Sequence, residues 1–151
     1  MRTDQFFQFE ADFVTSLRCI PMQVRFKLDT CGIKLKLSQW SRFTTYDRQL
    51  LIDLSCQTPE EIQNYREHLK RLIFDRTGER ATELAIEPNP IWNRLVIPTE
   101  IVEKAQELGI TIQLQQWANL TSEQRFALVK LSRSNHENKN FLPALKEFDL
   151  I

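Results

Sequence analysis

The strongest constraint on the fold is an internal repeat, because residues 9–55 recur 77 positions later as residues 86–132. A repeat at a fixed offset is typical of one supersecondary unit that is used twice. We therefore predict two related helical halves, residues 1–77 and 78–151, that pack as one globule with a boundary near Gly78. The shared positions include Ile20-Pro21 with Ile97-Pro98, Gly32 with Gly109, Gln39-Trp40 with Gln116-Trp117, and Arg48 with Arg125.

Each copy carries the signals of an amphipathic helix between a proline and a glycine. Pro21 and Pro98 stand at the first turn, where a missing N–H costs little. Gly32 and Gly109 stand where the helix must stop. Between them, apolar residues recur at i, i+4 and i+7, which predicts a single buried face. These residues are Val24, Leu28 and Cys31 in the first copy, and Ile101, Ala105 and Leu108 in the second.

A period of two follows this helix in both copies and is typical of a short extended segment. The alternating apolar residues are Ile33, Leu35 and Leu37 in the first copy, and Ile110, Ile112 and Leu114 in the second. If a pseudo-twofold axis relates the halves, residues 33–37 and 110–114 could pair as a short antiparallel ribbon. We therefore predict a mainly α fold with this ribbon as its one extended element.

Two further helices are predicted in each half. Thr44 and Thr121 are placed to act as N-caps of the next helix. In the first copy, Thr58-Pro59 then opens a long helix. The last element diverges between the copies and aligns only with a one-residue slip. With that slip, Phe141, Leu145 and Phe148 take the inward places of Tyr65, Leu69 and Leu72.

Composition argues against several function classes. Twenty basic and twenty acidic side chains give zero formal charge, so nucleic acid is an improbable partner for the molecule as a whole. Glu10 and Asp12 interrupt the apolar cluster near the start, so no signal-peptide core is formed there. The longest uncharged stretch, residues 108–122, is rich in glutamine and does not fit a membrane span. We expect a soluble, cytoplasmic protein.

No motif in the sequence indicates catalysis, a cofactor or a metal site. The three glycines are dispersed, whereas phosphate-binding loops need clustered glycines. No serine, cysteine or threonine lies in a nucleophile turn. His68 and His136 have no histidine or cysteine at one-turn spacing, so we interpret both as surface residues. The cysteines are widely spaced, and we interpret them as buried apolar residues; they are Cys19, Cys31 and Cys56.

The repeat separates residues that serve the shared fold from residues that are free for another role. Trp40 and Trp117 occur in both copies, which favours packing anchors over stacking platforms. Arg48 and Arg125 are also matched, and we expect them to bind helix ends or linker carbonyl groups within each unit. A charge present in only one copy is the better candidate for binding a partner.

Charge is the clearest difference between the copies. Residues 18–48 carry seven basic and two acidic side chains, a net charge of +5, whereas residues 95–125 carry two basic and four acidic ones, a net charge of −2. A solvated face explains such drift equally simply. The alternative is a docking surface for an anionic partner. Its unmatched members would be Arg18, Arg25, Lys34, Lys36 and Arg42, which we call the basic surface.

The sequence resembles the cyanobacterial nitrate reductase-associated protein family over nearly the whole chain. An ordered string of residues carries the likeness, and it contains no catalytic motif. The string runs through Phe9–Phe13, Leu17–Met22, Val24–Asp29, Gly32–Leu35 and Gln39-Trp40. The resemblance implies a non-catalytic accessory role for the assimilatory nitrate reductase, a molybdenum and iron–sulfur enzyme that takes electrons from ferredoxin.

Three hypotheses about function follow. The first is an accessory protein that docks on nitrate reductase during its maturation or activity. The second is a carrier for a phosphate-bearing molybdenum cofactor species, held in a pocket between the halves. The third is a nucleic-acid-binding regulator, whose affinity would fall steeply with salt. Electron transfer through this chain is not expected, because an iron–sulfur cluster needs about four suitably placed thiolates.

Overall fold

A computed structural model describes residues 6–14, 16–133 and 138–151, apart from the side chains of residues 12, 13 and 138. The chain is mainly helical, which confirms the predicted class. The helices are α1 (Ala11–Val14), α2 (Met22–Cys31), α3 (Leu37–Trp40), α4 (Thr45–Asp53), α5 (Pro59–Thr77), α6 (Thr99–Glu107), α7 (Leu114–Asn119), α8 (Ser122–Arg133) and α9 (Phe141–Glu147). Short 3-10 turns cover Gln8–Glu10, Ile91–Asn93 and Asn138–Asn140, and two short strands are β1 (Ile33–Lys34) and β2 (Thr82–Glu83).

The chain forms two compact units, Met1–Ile86 and Glu87–Ile151. The first unit holds α1 to α5 and both strands, and the second holds α6 to α9. The segment 79–86, which follows α5, therefore belongs to the first unit.

Glycine ends α2 as predicted. Gly32 has a left-handed φ of 76°, and its N–H donates to the carbonyl of Leu28 at 2.9 Å. A side chain at this φ would be strained, which is why the position favours glycine. The predicted inner face is also confirmed in α2, since Val24, Leu28 and Cys31 are all buried.

Side-chain caps start α4 and α5. The Thr44 hydroxyl accepts from the N–H of Asp47 at 3.0 Å, which confirms it as an N-cap. The Thr58 hydroxyl accepts from the N–H of Glu61 at 3.1 Å, and Pro59 occupies the first turn. The buried stripe of α5 contains Tyr65, Leu69, Leu72 and Ile73.

A two-stranded antiparallel ribbon is present, but its second strand is not the predicted one. Ile33 pairs with Glu83, and Lys34 pairs with Thr82. Residues 110–113 are irregular, and Leu114 is the first residue of α7. The pairing of residues 33–37 with 110–114 was therefore a wrong prediction. The chain returns to β1 after α5, so the partner strand comes from the same unit and close in sequence.

The period-two pattern ends early because a helix begins inside it. The N–H of Lys36 donates to the Gln39 side chain at 3.0 Å, and α3 starts at the next residue. Leu37, predicted to point inward, is 60% exposed as a result. The same holds in the second unit, where the N–H of Gln113 donates to the Gln116 side chain at 2.8 Å and Leu114 is 55% exposed.

The second unit confirms part of its predicted core. Ile101 and Ala105 are buried, but Leu108 is 45% exposed because α6 ends at Glu107 and Leu108 already lies in the cap. Thr121 accepts from the N–H of Gln124 at 3.1 Å, which confirms the matched cap. The divergent last element is also as predicted, with its three aligned apolar residues buried; they are Phe141, Leu145 and Phe148.

Candidate functional site

A tryptophan and an arginine organise the segment that precedes α2. The indole Nε1 of Trp40 donates to the carbonyl of Leu17 at 2.8 Å. The Arg48 guanidinium donates to the carbonyls of Leu17 at 3.0 Å, Trp40 at 3.2 Å and Ser41 at 3.1 Å. Its carbon lies 5.6 Å from the Trp40 ring centroid, so cation–π attraction adds to these bonds.

The second unit repeats this geometry at the same offset. Trp117 donates to the carbonyl of Arg94 at 3.0 Å. Arg125 donates to the carbonyls of Trp117 at 2.9 Å and Ala118 at 2.7 Å, and lies 5.7 Å from the Trp117 ring centroid. Its third hydrogen bond, 3.4 Å to the carbonyl of Trp92, does not match the 77-residue offset of the repeat. The predicted packing role of the tryptophans and the carbonyl-binding role of the arginines are thus confirmed.

A matched lysine has different surroundings in the two units. Lys27 Nζ donates to the carbonyls of Ile52 and Leu54, both at 2.7 Å, where α4 ends. The aligned residue Lys104 has no described hydrogen bond, and α8, the counterpart of α4, continues to Arg133. Lys104 instead lines a cleft of about 330 Å³. Other residues lining that cleft include Glu107, Leu108, Lys139 and Phe141.

Four members of the basic surface are exposed: Arg18, Lys34, Lys36 and Arg42. Within the described ranges, none of these four side chains has a hydrogen bond or an ion pair. Arg25 differs, because it is half-buried and its Nε donates to the carbonyl of Ile20 at 3.2 Å. The five cations are therefore not equivalent, and the four exposed ones are the freest to meet a partner.

The tryptophan–arginine pair brings two of these cations together. Arg18 follows Leu17 directly, and Arg42 follows Ser41 directly. Because the carbonyls of Leu17 and Ser41 bind the same Arg48 guanidinium, the backbones that carry Arg18 and Arg42 are held close to each other. Lys36 precedes α3, and Lys34 lies on β1 beside the buried Ile33. The exposure of both lysines agrees with the predicted shared face.

Comparison with models of known protein families identifies the family of this chain. The model of the conserved nitrate reductase-associated protein family matches residues 6–148. The chain belongs to this family. Neither the search of curated proteins nor that of solved structures found a match to the sequence. The family description associates its members with nitrate reductase, and this chain presents an exposed group of cations at repeat positions where the second copy carries no charge.

Two further cations, Arg66 and Arg76, bind partners within the first unit. Arg76 binds the buried carboxylate of Asp47, with its Nε at 2.7 Å from Oδ2. Arg66 donates to the carbonyl of Cys31 at 2.7 Å and pairs with Glu83 of β2. No spacing rule in the sequence pointed to these pairs, because each joins elements far apart in the chain. Both link α5 to other parts of the same unit.

Burial shifts the pKa of several titratable groups in the first unit. Burial raises the pKa of Cys31 to about 12 and that of Cys56 to about 11. Cys31 and Cys56 are buried, as predicted, whereas Cys19 is half-buried. His68 is half-buried rather than a fully exposed surface residue, and burial lowers its pKa. His136 lies outside the described residues.

The described part of the chain contains neither a candidate metal site nor a helix that could span a membrane. No three His, Cys, Asp or Glu side chains there are grouped so that they could hold a metal ion. No described helix combines the length and apolar character that crossing a membrane requires.

Proposed function

We propose that this protein is a non-catalytic accessory protein of the assimilatory, ferredoxin-dependent nitrate reductase, and that it docks on the enzyme through its basic surface. The family description supports an association with nitrate reductase. The observation that carries the docking site is the group of exposed, internally unpaired cations in the first copy. A protein that has no nucleophile turn and no phosphate loop fits a binding partner better than a catalyst.

The repeat provides the reason to assign these cations to a partner. At the positions aligned with Arg18, Lys34, Lys36 and Arg42, the second copy has uncharged residues, so the fold does not need a cation there. These aligned residues are Leu95, Thr111, Gln113 and Asn119. In contrast, Lys27 and Arg48 are bound to carbonyl groups and serve the first unit itself. Exposed, unpaired cations steer association with an acidic surface and raise its rate.

The repeat also supplies the test variant. We would replace three lysine and arginine residues with their second-copy counterparts, K34T, K36Q and R42N, and add R18Q. Binding to purified nitrate reductase would be followed by surface plasmon resonance at low and moderate salt. We expect the variant to bind at least about tenfold more weakly, mainly through slower association. The loss should shrink as salt rises.

A control variant with the same change in net charge isolates the surface. It neutralises four exposed cations elsewhere, Arg71, Arg80, Lys139 and Lys146, each by substitution with Gln. We expect this control to bind the reductase within about twofold of the wild type. If the two variants weaken binding equally, net charge alone explains the association and the basic surface is not the docking site. If neither weakens it, the partner surface lies elsewhere.

The accessory role itself is tested in cells. We expect removal of the protein to lower nitrate reductase activity while the reductase polypeptide still accumulates, and the basic-surface variant to restore less activity than the control variant. Purified protein added to inactive reductase would distinguish a maturation factor from a subunit needed during turnover. Full reductase activity in its absence would contradict the proposal.

A further inference from the structure

An open cleft of about 370 Å³ lies between α4 and α5 of the first unit. Leu50 on α4 and Leu54, the residue that directly follows α4, form an apolar wall. Asn64 and His68, one turn apart on α5, line the opposite side. A volume of this size, with an apolar wall and a few polar groups, is within the range of small-molecule sites.

Some polar groups at the cleft are already satisfied by the protein. The Glu61 carboxylate accepts from the N–H groups of Gln57 at 3.2 Å and Thr58 at 3.0 Å. The hydroxyl of Tyr65 donates to the carbonyl of Leu51 at 2.8 Å. These groups serve the helix start and the core, so they do not require a ligand.

Two polar side chains at the cleft have no hydrogen bond to the described protein, but only one of them is buried. His68 Nε2 is buried and has no hydrogen-bond partner among the residues that the structure describes. The Asn64 carboxamide, one turn earlier, is exposed and makes no side-chain hydrogen bond within residues 6–14, 16–133 and 138–151, so its donor and acceptor are available to a ligand. A buried polar atom left without a partner destabilises a protein, so the unpaired Nε2 of His68 calls for an explanation.

The repeat indicates that His68 is not required by the fold. With the one-residue slip of the last element, Ala144 stands at the place of His68, and Ala144 is fully buried. The second unit therefore packs the corresponding helix without an imidazole. An unsatisfied ring nitrogen in one copy and a methyl group in the other fit a site that only the first unit has.

The charge at the cleft limits the ligand. Glu61 contributes a carboxylate, and no lysine or arginine lines the described cleft. The imidazole is uncharged near neutral pH, because burial lowers its pKa. A phosphate-bearing or carboxylate-bearing molecule would face repulsion without a compensating cation. The cleft therefore suits an uncharged molecule.

We propose that this cleft binds a small uncharged organic molecule that carries an apolar body and a primary carboxamide. The apolar body packs against Leu50 and Leu54. The carboxamide has one acceptor and two donors, so it can bond the Asn64 side chain and His68 Nε2 together. This assignment does not rest on docking to nitrate reductase, and either one can fail without the other.

Benzamide and its isosteric anion benzoate are suitable probes. Each would be titrated into the full chain, with the imidazole nitrogens of His68 followed by ¹H–¹⁵N NMR. We expect benzamide to shift the His68 signals saturably, and benzoate to bind about tenfold more weakly because of Glu61. If benzamide leaves the His68 signals unchanged up to its solubility, a buried water rather than a ligand satisfies this nitrogen and the proposal is wrong.

Two variants make the site assignment specific. Leu54→Trp fills the cleft from its apolar wall and should abolish the benzamide effect. Glu61→Gln keeps the cap but removes the charge, so it should bring benzoate close to benzamide in affinity. Glu60→Gln, in the same turn but outside the cleft, is the control and should leave the preference unchanged. The proposal would be overturned if Leu54→Trp bound benzamide as tightly as the wild type does. It would also be overturned if the wild type bound benzamide and benzoate equally.

Discussion

The indole of Trp40 and the guanidinium of Arg48 converge on one atom, the carbonyl oxygen of Leu17, at 2.8 and 3.0 Å. A carbonyl oxygen has two lone pairs, so both donors are accommodated. The arrangement fixes the backbone before α2 against the end of α3. In this way a residue pair that serves the fold also determines where Arg18 and Arg42 emerge.

Replacing the matched arginines by lysine should destabilise the protein. Lysine keeps the charge but lacks the planar fork of donors that reaches these separated carbonyls, so Arg48→Lys and Arg125→Lys should each lower the free energy of unfolding by about 1–3 kcal/mol. Arg125, which is 9% exposed, should lie at the upper end of that range. Urea denaturation followed by circular dichroism measures the effect. Arg71→Lys, at an exposed position, is the control and should stay within about 0.5 kcal/mol.

Two aligned glycines should respond differently to alanine. Both have a left-handed φ, 76° at Gly32 and 74° at Gly109, so each Gly→Ala change costs about 1 kcal/mol from the backbone alone. A Cβ at Gly32 would also lie 2.8 Å from the carbonyl oxygen of Leu84, whereas a Cβ at Gly109 meets nothing within 4 Å. We expect Gly32→Ala to cost about 2–4 kcal/mol in thermal or urea unfolding. Equal losses at the two positions would show that the ribbon moves aside freely.

The matched lysines provide a second internal comparison. Lys27→Met removes the donor from the carbonyls of Ile52 and Leu54 at the end of α4, and should cost about 1–3 kcal/mol of unfolding free energy. Lys104→Met removes no described hydrogen bond and should stay within about 0.5 kcal/mol. The urea unfolding midpoints of the two variants measure this difference, and Lys27→Met should have the lower one. A larger loss for Lys104→Met would contradict the contrast drawn between the units.

The pair of Asp47 and Arg76 should make the stability of the folded protein fall as the pH becomes acidic. The hydrogen bond from Arg76 holds the pKa of Asp47 at about 2, below its ordinary value of 3.8. Because the folded-state pKa is depressed, the stabilisation is complete above about pH 4 and is lost as pH falls toward 2. We expect the pair to stabilise the folded chain at neutral pH, with a contribution reduced by the exposure of Arg76.

Asp47→Asn tests this dependence. The variant should be less stable at pH 7 and should lose less further stability between pH 4 and 2 than the wild type. Glu103→Gln, at an exposed position of α6, should retain the wild-type slope. Parallel pH profiles for Asp47→Asn and the wild type would mean that the carboxylate titrates alike in the folded and unfolded chains.

The cysteines should separate by reactivity. Burial raises the pKa of Cys31 to about 12 and that of Cys56 to about 11, so few thiolates form at pH 8. We expect iodoacetamide to modify the half-buried Cys19 at least about tenfold faster than either of them in the native protein. Mass spectrometry of the quenched digest gives the three rates. In urea all three should react alike, and a native Cys31 as fast as Cys19 would contradict the burial.

Local signals in the sequence predicted local structure well. The caps Thr44 and Thr121 and the stop at Gly32 are each set by residues within one turn, so they could be predicted. The partner of β1 could not, because strand pairing depends on where the chain returns after α5. Leu37 and Leu114 were wrongly predicted to point inward for a related reason. In each unit, a glutamine side chain binds the backbone N–H three residues before it, and this cap starts a helix inside the period-two pattern.

The candidate site shows the same division. The exposure of Lys34 and Lys36 followed from their alternation with apolar residues. The different surroundings of Lys27 and Lys104 could not be predicted, because they depend on α8 extending beyond the point where α4 stops. The unsatisfied nitrogen of His68 is likewise a property of packing between two helices, and the sequence alone showed only a histidine beside an apolar stripe.

The pairing of β1 with β2 governs how the first unit can be isolated. The carbonyl of Gly32 accepts from the N–H of Leu84 at 2.8 Å, and Arg66 has its carboxylate partner on Glu83. A gene fragment that stops at Thr77 would delete both partners and uncover the end of α2. A fragment of the first unit that folds by itself should therefore end at or beyond Ile86, although the last helix of that unit, α5, ends at Thr77.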